Sequence, residues 1–194
     1  MHILTVYAHP EPKSFNYALA SVIAEEAEKK GHTHTLRDLY ALNFQPVLTA
    51  RDFEDFNHNI TPPDITAEQN EVAKANIIAF VHPVWWFSYP AILKGWIDKV
   101  FSYGFAYGHD SKGVRGLLTG KKTIIINTTG GDEKSGYIDT GFKNAMLALS
   151  DNGIYQFVGL EVALRRIYYQ VPTQSQEGRV AMLEDLRAGL RSIL

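Results

Sequence analysis

Cysteine is absent from the 194 residues. That excludes a disulfide framework and thiolate metal sites, and it fits a reducing compartment. Excess charge is absent too: 19 Lys and Arg stand against 21 Asp and Glu, a net charge of −2. There is therefore no electrostatic case for nucleic acid. No apolar run is long enough to span a membrane. The opening "MHILTVYAHP" lacks a basic n-region and carries Pro10, so it does not read as a secretory signal. Repeats and low-complexity linkers are missing as well. So are a Rossmann G-x-G-x-x-G after the first apolar run and a Walker P-loop. What is present is 45% hydrophobic and 12% aromatic residues. That suits one globular domain over residues 1–194 with a sizeable core. The expectation is a soluble, cytoplasmic protein.

The chain alternates strand and helix signals. Residues 3–8 are a near-continuous apolar run, as a central parallel strand requires. A helix opens near Ser14 with Leu19, Val22, Ile23 and Ala27 at helical spacing, and Gly31 stands as its C-terminal cap. "HTHTLRDL" alternates and predicts an edge-side strand. Residues 43–64 read as a long excursion with a short helical piece. "TAEQ" at 66–69 matches a capping box and predicts a helix to about Asn76. "IIAFVHP" is the strongest strand signal, and Pro90 suits the first turn of the helix that follows. On that helix Ile92, Leu93, Trp96, Ile97, Val100 and Phe101 form one apolar face. Trp96, Phe101 and Phe105 offer more aromatic surface than one helix needs for its own core, so a subunit interface is expected there. "KTIIIN" predicts a strand, 142–158 a helix stopped by Gly159, "LEVALRRIYYQV" a last strand and 176–194 a last helix. Five strands alternating with helices predict a doubly wound α/β sheet, with all strand C-termini on one edge.

Ligands of such sheets bind along that edge. Three predicted loops meet there: "AHPEPKSFN", "HPVWWFSYP" and "NTTGGDEKSGY". The first sets Ser, Asn and His beside a helix N-terminus, a place for an anion. The second supplies two Trp, a Phe and a Tyr as a wall for a flat ring. The third has paired Thr, paired Gly and a Tyr. Each has a plainer reading as a cap, as core or surface, and as a turn. Their shared edge favours a flavin site. His32 and His34 alternate on a strand with no third ligand at a useful spacing; they read as surface residues, and no metal site is expected.

"YAHPEPKSFN", "PVWWFSYPAILKGWIDKVFSYGFAYG" and "TTGG…Y" resemble the flavodoxin-like NAD(P)H:quinone oxidoreductases nearly end to end. "AYGH" is shared with the potassium-efflux ancillary quinone reductases of bacteria. The resemblance implies a flavodoxin-like five-stranded parallel sheet of order 2-1-3-4-5 with helices on both faces, a tightly bound flavin, and a homodimer with the active site at its interface. It places His9, Ser14, Phe15, Asn16 and Ala18 on the flavin phosphates and ribityl chain. Pro83, Val84, Trp85, Trp86 and Phe87 would line the isoalloxazine ring. Thr128, Thr129, Gly130 and Gly131 would touch its pyrimidine side, with Tyr137 near the flavin carbonyl. Phe105, Tyr107 and Phe157 match the nicotinamide and quinone pocket.

Two departures matter. The mammalian members have a His about one and a half helical turns after the active-site Tyr; here "YIDTGFKNAM" has Lys143 and no His. The segment that helps bind adenine is also shortened before Pro62, while Arg179 matches a family Arg near the adenine half. FAD is favoured over FMN, with NADH or NADPH as donor and a quinone, nitro compound or azo dye as acceptor. Gly130 and Gly131 amides, with the Tyr137 hydroxyl, would stabilise charge on the reduced ring. Two other classes stay open: a flavodoxin-type single-electron carrier, and a regulatory redox subunit peripherally associated with a membrane potassium-efflux protein.

Overall fold

A computed structural model describes residues 1–194. Five parallel strands form one sheet: β1 (His2–Tyr7), β2 (Thr33–Asp38), β3 (Ile77–Pro83), β6 (Lys122–Thr128) and β7 (Glu161–Tyr168). Their spatial order is β2-β1-β3-β6-β7, which is 2-1-3-4-5 when only sheet strands are counted. The order follows from burial: every residue of β3 is buried, so it sits in the middle, while β2 has no buried residue and takes the edge.

Alternation along the strands divides the core in two. Ile3, Tyr7, Ile77, Ala79 and Val81 face α1 (Phe15–Lys29) and α6 (Gln176–Arg191). Leu4, Val6, Ile78 and Phe80 face α3 (Pro63–Lys74), α4 (Ala91–Val100) and the segment around Tyr155. Helix α1 ends at Lys29, and Gly31, at φ +72°, supplies the left-handed residue its end requires. The short helix in the 43–64 excursion is α2 (Ala50–Asn57). No helix is long and apolar enough to cross a membrane.

Several expectations need correction. Helix α3 begins at Pro63, and the Thr66 hydroxyl bonds back to the Pro62 carbonyl at 3.0 Å instead of capping. Proline at the first helical position fixes φ in advance and needs no N–H, so it outcompetes the later cap. The true capping box is on α2, between Thr49 and Asp52. Trp96 and Phe101 are not interface residues. Both are buried in the core of the chain itself, edge-on to Phe80 at 6.0 and 6.3 Å, and the Trp96 indole donates to Glu68 at 3.0 Å. His32 and His34 are half-buried; His34 Nε2 pairs with the Thr5 hydroxyl at 2.9 Å. An antiparallel hairpin, β4 (Tyr107–Asp110) and β5 (Gly113–Gly116), was not legible, because "YGHDSKGVRG" lacks apolar alternation. The helix over 142–158 is α5 (Phe142–Leu147) followed by a π-helical segment, Ala148–Gln156.

Candidate active site

The C-terminal sheet edge carries the first three loops together. Ser14 caps α1: its hydroxyl accepts from the Tyr17 N–H at 3.2 Å and pairs with the Tyr7 hydroxyl at 2.9 Å. That side chain is thus a cap, the plainer of its two readings. The N–H groups of Phe15 and Asn16 have no partner on the chain, as the first turn of a helix dictates. The Asn16 side chain is buried and interlocks with Thr128, donating Nδ2–H to Oγ1 at 2.9 Å and tying α1 to the end of β6. So the Asn16 and Thr128 side chains serve the scaffold, and only the Asn16 backbone is free to meet a ligand. His9 accepts the Glu11 N–H on Nδ1 at 3.0 Å, and its ring centroid lies 6.3 Å from that of Trp85. Ala18 follows half-buried, one turn into α1.

Beyond Pro83 the chain makes a tight turn. Val84 N–H bonds to the Thr128 carbonyl at 2.7 Å, and Trp85 and Ser88 exchange backbone bonds at 3.1 and 3.0 Å. The two residues between them, Trp86 and Phe87, have φ of 50° and 58°. A two-residue reversal of this hand is ordinarily made by Asn or Gly. Bulky residues there cost on the order of 1–3 kcal/mol each, strain that gathers at functional sites. The result is an exposed aromatic shelf: Trp86 is 95% accessible, and Phe87 packs on Phe142 and Tyr137 with centroids at 4.0 and 5.3 Å.

The third loop is more committed than its sequence implies. Thr129 Oγ1 receives the Gly131 N–H at 2.9 Å and pairs with the buried Tyr137 hydroxyl at 2.8 Å. Of the two amides read as donors, Gly131's is therefore occupied, and Gly130's N–H is unpartnered. A Cβ on Gly130 would meet only Pro172, at 3.8 Å; one on Gly131 would press on Tyr137 Cε2 at 3.0 Å. Lys143 reaches Glu133 at 2.7 Å and stands 6.0 Å from the Tyr169 ring centroid. The hydrogen bond to Glu133 raises the pKa of its ammonium.

A fourth contributor escaped the sequence reading, which stopped at three loops. Tyr169 and residues 170–172, following β7, border the third loop: Gln170 N–H bonds to the Gly131 carbonyl at 3.1 Å, and Tyr169 lies edge-on to Tyr137 at 5.3 Å. Its buried hydroxyl has no partner, and burial raises its pKa. The "IYYQV" doublet at a strand end was the available signal. Arg179 stands here as well; its Nη2 reaches the Pro172 carbonyl at 3.5 Å, and its buried Nε has no partner.

Phe105, Tyr107 and Phe157 do not join this group. Tyr107 and Phe157 pair at 5.6 Å, and no ring contact links the trio to Trp86, Phe87 or Tyr137. Phe105 and Tyr107 instead border a groove of about 860 Å³ with Phe53, Phe56 and Tyr103. No three His, Asp or Glu side chains cluster as a metal would need. The edge does fit a flavin: free first-turn amides for phosphate, a fixed aromatic shelf for a ring, an open Gly130 with an unpartnered N–H, and an orphaned guanidinium N–H on Arg179.

Strand order and edge define a doubly wound, flavodoxin-like α/β protein. The family model for the flavodoxin-like fold matches residues 1–190, and the chain belongs to that family. It is similar to human ribosyldihydronicotinamide dehydrogenase [quinone], 36% identical over 98% of this chain and 91% of that one. Rat NAD(P)H dehydrogenase [quinone] 1 is 33% identical over 98% of this chain and 76% of its own length. Among solved structures, NAD(P)H:quinone oxidoreductase from Methanothermobacter marburgensis superposes with a TM-score of 0.89 at 27% identity, covering 100% of this chain and 99% of that one.

Proposed function

We propose that the chain is a flavin-dependent NAD(P)H:quinone oxidoreductase acting by two-electron, ping-pong hydride transfer. The carrying observation is the convergence on one sheet edge of free helix-start amides, a strained aromatic turn and an open glycine with a free N–H. The relatives named above as quinone dehydrogenases support the substrate class.

The N–H groups of Phe15 and Asn16 bind phosphate, where the helix dipole adds partial positive charge. His9 presents its free Nε2 beside them. Pro83, Val84, Trp85, Trp86 and Phe87 hold a ring flat and keep water from one face. A bound flavin supplies hydride acceptance from the reduced nicotinamide and hydride return to the quinone. Around the pyrimidine side the chain offers two donors, the Gly130 N–H and the Tyr137 hydroxyl. Thr129 orients that hydroxyl, so the donors stand ready where negative charge develops. Overall, NAD(P)H gives two electrons and one proton as hydride, solvent gives the second proton, and the quinone leaves as hydroquinone. Arg179, with its unpartnered Nε, favours the second phosphate and adenine half of FAD over FMN. Phe105, Tyr107 and Phe157 complete the pocket from a second copy of the chain in a homodimer, which accounts for their separation from the shelf in one chain.

The test is the visible spectrum and the mass of the released cofactor, followed by anaerobic reduction with NADH and with NADPH and reoxidation by a benzoquinone. A flavin that bleaches and recovers is expected. A protein that binds neither FMN nor FAD after refolding overturns the reading.

A further inference from the structure

Behind the shelf runs a buried polar chain that the proposed chemistry does not use. His82 of β3 and Asn127 of β6 are register partners, 3% and 2% accessible. Arg165 of β7 donates Nη1–H to Asn127 Oδ1 at 2.7 Å. A guanidinium has no acceptor, so the Asn127 oxygen must face it and the Asn127 amide NH₂ must face His82. That NH₂ lies 2.9 Å from His82 Nε2, which therefore carries no proton. The ring proton is left on Nδ1, which donates to the Pro83 carbonyl at 2.8 Å. One cation thus dictates the direction of every bond down to the residue from which the aromatic turn departs.

At its other end Arg165 is held by two successive residues of the π-helical segment. Nη2 donates to Ser150 Oγ at 2.8 Å, Nε to Asp151 Oδ2 at 3.0 Å, and Nη2 also to Asp151 Oδ1. The segment ends at Gln156, and Phe157 follows it. π-Helical turns are rare and concentrate at functional sites. Meanwhile a cavity of about 30 Å³ touches Phe87, Ser88, His82 and Arg165. Phe87 rests on Phe142 and Tyr137 and borders this small cavity. Its strained backbone needs another constraint, because such conformations persist only where the surroundings over-determine them.

We propose that Arg165 is a positioning residue: through Asn127 and His82 it fixes the Pro83 carbonyl at the root of the aromatic turn, and through Ser150 and Asp151 it ties that turn to the segment leading to Phe157. Its consequence for cofactor affinity rests on the function proposed above; the geometric claim does not. Loss of the chain leaves the turn free to relax toward negative φ and weakens ring binding.

The test begins with the full-length, cofactor-free protein. Long-range ¹H–¹⁵N NMR should find His82 in the Nδ1–H form, the minor tautomer of free imidazole side chains, and Trp86 and Phe87 Cα shifts should report positive φ. In Asn127→Leu the Pro83 carbonyl still accepts from Nδ1 and Nε2 faces only an apolar side chain, so His82 should keep the Nδ1–H form while its link to Arg165 is lost. The double variant His82→Phe, Asn127→Leu replaces both partners by apolar groups but leaves the Arg165 Nη1–H without its acceptor, while Ser150 and Asp151 still hold Nη2 and Nε, so native far-UV circular dichroism is required before its turn is read. There the Trp86 and Phe87 shifts should move, and FMN and FAD, titrated separately, should bind about tenfold more weakly. A wild-type Nε2–H tautomer overturns the proposal without any variant being made. So does a folded double variant with unchanged turn shifts. If wild-type protein binds neither flavin, the proposed function fails, while tautomer and turn shifts still decide this inference.

Discussion

A Cβ on Gly131 would lie 3.0 Å from Tyr137 Cε2, so this glycine permits the close approach of loop and ring. Gly131→Val should displace Tyr137 and expel flavin while far-UV circular dichroism stays native; normal flavin content would exclude this loop from the site. Tyr137→Phe is a finer change. It removes one hydroxyl from a position where well-placed donors are typically worth about 2.7–4 kcal/mol. Backbone amide help from Gly130 remains, so hydride transfer should slow by roughly ten- to a hundredfold, or about 1.4–2.7 kcal/mol, with cofactor affinity barely changed. Stopped-flow reduction by NADH and NADPH measures it, and a wild-type rate would remove the tyrosine from the mechanism. Lys143 is paired with Glu133, so Lys143→Met tests whether that pair, beside Tyr169, supports the same charge.

Among the elements, α2 depends most on a single device. Its eight residues bury none of their number, and the Thr49–Asp52 box supplies its order. Burial alone would push the Asp52 carboxyl up; hydrogen bonds from Thr49 and Lys99 outweigh that and bring it down to about 2. Because the folded group titrates below the unfolded one, its contribution is complete above about pH 4 and is lost as the pH falls toward 2. Thr49→Ala should cost about 1 kcal/mol locally. Limited proteolysis within residues 50–62 should then speed up roughly fivefold. The groove beside Phe53 and Phe56 should loosen with it, while the sheet keeps its protection. Cleavage at the wild-type rate would show that tertiary contacts, and not the cap, hold this helix.

For the molecule as a whole, two properties join distant parts. Burial, aided by the nearby Arg165 cation and opposed by the bond to Pro83, brings His82 down to about 4. Between its ordinary value near 6.5 and that point the unfolded chain binds the extra proton, so stability must fall as the pH drops from about 6.5 to 4. Urea midpoints across that window should show the slope, and His82→Phe should flatten it. The second is the shared site proposed above. Gly131→Val lacks the flavin half, and a Tyr107→Ala, Phe157→Ala chain lacks the substrate half. Each homodimer should be inactive, yet a refolded mixture should regain roughly a quarter of wild-type activity, because half of the dimers carry one complete site. No recovery on mixing would place all the machinery within one chain.

Local chemistry made much of this readable in advance. Apolar runs such as "IIAFVHP" announce a buried parallel strand, Ser14 and Gly31 mark the ends of α1, and strand–helix alternation implies a sheet whose loops gather on one edge. The shelf, the Thr–Gly loop and the first-turn amides were legible because each is a short contiguous segment. Interactions between segments far apart in sequence were not. That Asn16 and Thr128 serve each other across 112 residues, and that Thr129 takes the Gly131 amide, depends on which strand ends become neighbours. Trp96 and Phe101 read as surplus aromatic surface because their partner, Phe80, lies on strand β3 and not on the helix that carries them. Arg165, Asn127 and His82 carry no shared motif at all; strand register pairs His82 with Asn127, and the long side chain of Arg165, paired in register with Ile125, reaches Asn127 from the next strand. Sequence determined the elements and the edge, whereas tertiary structure decided which polar groups on that edge are committed to the scaffold and which remain free for a ligand.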